Sequence, residues 1–84
     1  MAAGTRTIRV QFYALLREQA GRNEEQMTTS AATPAELYAE LARRYPFSLM
    51  REQLKVAVNA EFADWSAALN DNDSVVFIPP VAGG

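Results

Sequence analysis

Histidine and cysteine are both absent from the 84 residues. Without imidazole the chain has no ordinary general base near neutral pH, without thiol it has no thiolate nucleophile, and without either it has no soft-metal site. No apolar run approaches the roughly 20 residues that cross a bilayer, so no membrane association is expected. The first residues, Met1-Ala2-Ala3-Gly4-Thr5-Arg6, lack the charged start and apolar segment of a secretory signal. A cytoplasmic location is expected, and the missing cysteine accords with a reducing compartment. Clustered positive charge is lacking too: 8 basic residues are scattered against 10 acidic ones, for a net charge of −2. That argues against a nucleic-acid footprint, which needs basic residues gathered on one surface.

What remains is one small domain. At this length a single core forms and buries about 60 to 65% of the unfolded chain's surface, so modest stability is expected. Carboxylates are the remaining candidates for side-chain catalysis, as Glu24-Glu25 or Asp71 with Asp73. Both pairs fall in turns or strand ends, where acidic residues serve local hydrogen bonds. The end of the chain is more unusual: Pro79-Pro80-Val81-Ala82-Gly83-Gly84 closes on two glycines and a free carboxylate. Glycine fits slots and dihedrals closed to other residues. Proline holds φ near −65° and pushes the preceding Ile78 toward an extended conformation. Fully extended at roughly 3.3 to 3.6 Å per residue, positions 79–84 reach about 20 Å beyond the last packed residue. The alternative is an ordinary frayed end.

Along the chain, Thr7-Ile8-Arg9-Val10-Gln11-Phe12 alternates strictly, which predicts a strand with Ile8, Val10 and Phe12 on its buried face. Tyr13 falls in register with Arg9 and Gln11 on the outer face. Ala14 to Ala20 reads as a short helix stopped by Gly21, and Glu25 to Thr29 as a weaker strand pairing back on the first. Thr33-Pro34-Ala35-Glu36 is a helix start, with a capping threonine, proline in the first turn and glutamate three residues after the cap. Leu37, Tyr38, Leu41 and Tyr45 then form one apolar stripe, and Pro46 ends the helix. The connector from Phe47 to Leu54 is expected to bring Leu49, Met50 and Leu54 under the core. Val56-Ala57-Val58 reads as a strand, Asn59-Ala60 as a turn and Glu61-Phe62-Ala63 as its return. Asp71-Asn72-Asp73 is a second turn, with Asn72 suited to positive φ, before the strand Val75-Val76-Phe77-Ile78.

A strand apolar on both faces is central in its sheet or covered on both sides. The order strand, strand, helix, short strands, strand therefore predicts an α+β domain over residues 1–78. Its mixed sheet packs on one main helix, with the first and last strands adjacent in the middle. This is the β-grasp arrangement of ubiquitin-like domains. Positions 79–84 form a flexible tail in this scheme. Tyr13, Ile78 and Phe62 are expected near one another on the sheet face away from the helix, as a docking patch beside the tail. The competing expectation is that the connectors partly cover them.

The chain resembles the sulfur-carrier small subunits of molybdopterin synthase, within the ubiquitin-like family. The matching stretches are Ile8-Arg9-Val10-Gln11-Phe12-Tyr13-Ala14, Leu16-Arg17-Glu18, Thr33-Pro34-Ala35-Glu36-Leu37, Ala57-Val58-Asn59 and Asp71-Asn72-Asp73-Ser74-Val75. Phe77-Ile78-Pro79-Pro80-Val81-Ala82-Gly83-Gly84 completes them as the most specific part. Asn72 stands where the family usually has glycine. The resemblance implies that Gly84 is adenylated, with ATP, by a ubiquitin-activating-type adenylyltransferase and is converted to a thiocarboxylate by a sulfur donor. Pro80, Val81, Ala82 and Gly83 would enter the large synthase subunit, where sulfur passes to cyclic pyranopterin monophosphate. It further implies that Tyr13, Arg17, Phe62 and Ile78 face the partner, and that the assembly is a heterotetramer whose catalytic residues lie in the large subunit. No cofactor or metal would be bound by this chain. Lys55, where the family often has lysine, reads as a solvated charge. Three alternatives stay open: a sulfur carrier for thiamine thiazole synthesis, a protein modifier acting through Gly84, and an interaction module with an inert tail.

Overall fold

A computed structural model describes residues 4–80. The chain forms β1 (Arg6–Phe12), α1 (Ala14–Ala20), β2 (Glu24–Thr29), α2 (Pro34–Arg44), a 3₁₀ turn (Arg51–Gln53), β3 (Lys55–Val58), β4 (Glu61–Ala63) and β5 (Ser74–Ile78). The five strands make one mixed sheet in the order β2-β1-β5-β3-β4. β5 runs parallel to β1 and antiparallel to β3, while β2 and β4 pair antiparallel at the two edges. The fold is the α+β, ubiquitin-like β-grasp, with its first and last strands adjacent at the centre.

Local chemistry sets the elements. Tyr13 is extended at the start of α1, and Gly21 ends that helix in the left-handed conformation, its N–H returning to the Arg17 carbonyl at 2.9 Å. At α2 the Thr33 hydroxyl accepts from the Glu36 N–H, and the Glu36 carboxylate accepts in turn from the Ala32 N–H. Arg43 and Arg44 occupy the last turn, where cations complement the helix dipole. Tyr45, extended ahead of Pro46, closes the helix because a residue before proline avoids the helical region.

The buried positions of α2, among them Leu37, Tyr38 and Leu41, cover the sheet face bearing Ile8, Val10, Phe12, Val56, Val75 and Phe77. Each such aliphatic or phenyl side chain contributes roughly 1.5 to 3 kcal/mol when fully buried. Of α1, only Leu16 is buried; Leu15 is exposed. The connector after α2 carries Leu54 into the core and packs Leu49 against it. Met50 departs from expectation: it is 65% exposed, because it precedes the 3₁₀ turn and projects outward there. A polar seam joins β2 to α2. Arg44 reaches Glu25 at 2.9 Å and Glu40 at 3.2 Å, the Tyr45 hydroxyl donates to Glu25 at 2.6 Å, and Thr29 donates to Glu40. β2 begins one residue earlier than expected, at Glu24. Among the described residues no helix is long and apolar enough to cross a membrane.

Candidate functional site

β5 fixes the site because it is central and its side chains alternate. Val75 and Phe77 point into the core, whereas Val76 and Ile78 are half-buried on the face away from α2. Register extends this second face sideways. Val76 stands between Gln11 of β1 and Ala57 of β3, and Ala57 stands opposite Phe62 of β4. Ile78, two residues nearer the chain end, is opposite Lys55. Tyr13 follows the last β1–β5 pair, Phe12 with Phe77, and is 49% exposed; Phe62 is 73% exposed. Arg17 borders a shallow depression with Tyr13, Gln11, Asn23 and Glu24.

Tyr13, Phe62 and Ile78 therefore share a face, but they do not form one cluster. β1 and β4 are separated by β5 and β3, so Tyr13 and Phe62 sit about three strand spacings, or about 14 Å, apart. The half-buried Val76 and the buried Ala57 floor the gap, joining them into an apolar strip, and neither belongs to the expected site. The signal was present in Val75-Val76-Phe77-Ile78, whose alternation puts Val76 with Ile78. Ala57 needed the β3–β4 register, which only the folded chain supplies.

The root of the tail is held by an aromatic cluster. Phe77 is fully buried, stacked on Trp65 with centroids 5.8 Å apart and edge-on to Tyr38 at 5.2 Å. Beyond it, Pro79 is half-buried and Pro80 exposed, so the chain leaves the middle of the sheet beside the apolar strip. Val81, Ala82, Gly83 and Gly84, the positions expected to carry the chemistry, lie outside the described residues.

The carboxylates serve structure. Asp73 is buried, one carboxylate oxygen accepting from Asn59 Nδ2 at 2.9 Å and the other from the Asn70 N–H at 2.8 Å. Asp71 accepts from the Thr7 N–H at 2.6 Å. Glu24 and Glu25 alternate to opposite faces of β2, and Glu25 is engaged by Tyr45 and Arg44. Neither pair offers two free carboxyl groups to one substrate. Among the described residues no group of three His, Cys, Asp or Glu could hold a metal ion.

Comparison with known proteins agrees with this geometry. The chain is 32% identical over 80 residues to the molybdopterin synthase sulfur carrier subunit of Escherichia coli K12, a match covering 92% of this chain and 99% of that one. Its fold superimposes on the HVO 2177 protein of Haloferax volcanii with a TM-score of 0.82 and 26% identity, over 96% of this chain and 89% of the other. A third relative is found in the complex of subunits 1 and 2 of the molybdopterin-converting factor of Helicobacter pylori. There the TM-score is 0.63 and the identity 25%, over 93% and 99% of the two chains. The ThiS family model matches residues 10–84, taking in β5, the tail root and both terminal glycines, and the chain belongs to the ThiS family.

Proposed function

We propose that the chain is the sulfur-carrying small subunit of a molybdopterin synthase and that its reactive group is the main-chain carboxylate of Gly84. The carboxylate attacks the α-phosphorus of ATP on an adenylyltransferase, releasing pyrophosphate. A sulfur donor then displaces AMP from the acyl-adenylate and leaves a thiocarboxylate. Activation is required because a carboxylate is a poor acyl donor until it carries a good leaving group. The tail, Pro80 to Gly83, enters the second synthase subunit, which supplies the catalytic side chains that a chain lacking His and Cys does not have.

One observation carries this reading. The central strand, anchored at Phe77, delivers Ile78-Pro79-Pro80 from the middle of the sheet directly beside a partly exposed apolar strip. A docking face and the root of the tail are thereby joined on one rigid element. The homologous Escherichia coli sulfur carrier supports the pathway, and the two-subunit Helicobacter pylori complex supports a partner of the same kind.

Intact-mass measurement tests the proposal, after incubation with ATP, the adenylyltransferase and a sulfur donor. The expected result is a gain equal to sulfur replacing one oxygen, lost when Gly84 is deleted or the chain is extended by one residue. An unchanged mass with an enzyme competent on another carrier would refute it.

A further inference from the structure

The apolar strip is bordered by charge opposite in sign to that of the whole chain. The chain carries a net −2. Yet register places Arg9, between Ser74 and Gln26, at one side of the strip, and Lys55, opposite Ile78, at the other. Arg17 lies beyond Tyr13 at the end of β1. All three cations are exposed. The ion pairs among the described residues engage Arg44 and Arg51, on other parts of the surface, and leave these three without an anionic partner. Two acids lie near them: Glu24 on the same face, opposite Gln11, and the exposed Asp64, which lines one depression with Lys55 and Phe62.

This arrangement has a physical consequence for anything that covers the strip. The exposed Phe62 and the half-buried Val76 and Ile78 offer apolar area but little selectivity. Arg9 and Lys55 lie close enough that a partner seated on the strip also strips water from them. Cations desolvated without counter-charge oppose binding, whereas carboxylates set opposite turn that cost into selection and accelerate encounter. Phosphates are a poorer match: a nucleic-acid footprint gathers many cations, and Glu24 would repel the backbone.

We infer that Arg9 and Lys55 are selectivity residues that recognise a folded protein whose docking surface has an apolar centre edged by carboxylates. Lys55 is then more than a solvated charge. The inference rests on the proposed function in taking the second synthase subunit as that partner.

The test is the association rate of the full chain with that subunit across a range of salt, for the wild type, R9Q, K55Q and R9Q/K55Q. Both residues are exposed, so the variants keep the wild-type circular dichroism spectrum. Electrostatic steering predicts that the double variant associates about tenfold more slowly at low salt. The rates should converge near 1 M, where the Debye length falls to about 3 Å, and R9K should retain the wild-type rate. Equal rates for wild type and double variant at every salt concentration would overturn the inference. So would an unchanged subunit association accompanied by loss of binding to a single-stranded oligonucleotide. The two proposals fail separately. A mass gain at Gly84 with subunit association that is equal for wild type and double variant at every salt concentration removes the selectivity inference alone, and salt-dependent association with no mass gain removes the sulfur chemistry alone.

Discussion

Trp65 lies face to face with Phe77, their ring planes 8° from parallel and their centroids 5.8 Å apart. Phe77 is the last fully buried side chain before Pro79-Pro80, so this stack fixes where the tail departs. Tyr38 closes on Phe77 from α2, and Phe47 stacks on Tyr38 at 5.6 Å. Trp65→Ala should lower unfolding free energy by about 2 to 3 kcal/mol, below the range for a fully buried aromatic because Trp65 is partly exposed. Trp65→Phe should recover most of that loss in urea denaturation. Equal losses for the two variants would show that ring stacking is not what the position supplies.

Asp73 ties two turns to the sheet. Its side chain holds Asn59 and Asn70, while Asn59 Oδ1 accepts from the Ser74 N–H at 3.0 Å and so links the β3–β4 turn to the entry of β5. Asp73→Ala leaves a side-chain amide and a main-chain donor without their acceptor, a loss of about 2 to 3 kcal/mol. Asp73→Asn keeps one acceptor and should cost less. Chemical denaturation of both variants gives the comparison.

The β3–β4 turn holds both central residues at positive φ, Asn59 at 52° and Ala60 at 72°. Asparagine tolerates this region; alanine pays roughly 1 kcal/mol or more for its Cβ. Ala60→Gly should therefore raise the stability by about 0.5 kcal/mol after glycine's greater chain entropy is offset. A higher thermal midpoint checks it, and a lower one would mean that the turn is not strained at Ala60.

Where structure follows from neighbours in sequence, the chain was legible. The Thr33-Pro34-Glu36 start, the Gly21 stop, the strict alternation of β1 and the positive φ of Asn72 all depend on residues within one or two turns. The doubly apolar β5 also gave its central place, because few surroundings accept such a strand. The rest depended on register and distant packing. Met50 looks like core by hydropathy but lies where the chain turns outward, and Trp65 enters the core from a segment without regular pattern. Ala57 joins the docking face only once β3, β4 and β5 are aligned. Small side chains carry no such signal in sequence.

Tyr45 gives the domain an alkaline limit. Its hydroxyl donates to Glu25, and that bond, with added desolvation and the nearby negative charge, raises its pKa above the usual 10.0. Burial raises Tyr38 in the same direction. For an acid whose folded pKa is raised, the stabilisation is complete below the unfolded value and is lost as pH climbs through the folded one. Stability should thus stay level with respect to these groups up to about pH 10 and fall above it. Tyr45→Phe should cost about 1 kcal/mol at neutral pH and flatten the alkaline decline. An identical slope above pH 10 in the variant would assign the decline to other groups.

Phe62 separates docking from folding. It is the most exposed large apolar side chain among the described residues, at 73%, and it ends the strip that runs through Ala57 and Val76. Removing so exposed a ring takes little from the core, so Phe62→Ser should change unfolding free energy by no more than about 0.5 kcal/mol. Aromatic anchors at the centre of an interface, however, commonly supply 2 kcal/mol or more of binding. Phe62→Ser is therefore expected to weaken association with the second subunit by at least about tenfold, mainly through faster dissociation. Arg9→Gln and Lys55→Gln would instead act on the association rate. Titration calorimetry alongside urea denaturation distinguishes the roles, because a residue that served only the fold would lose stability and affinity together. Unaltered affinity in the Phe62 variant would place the partner elsewhere on the surface.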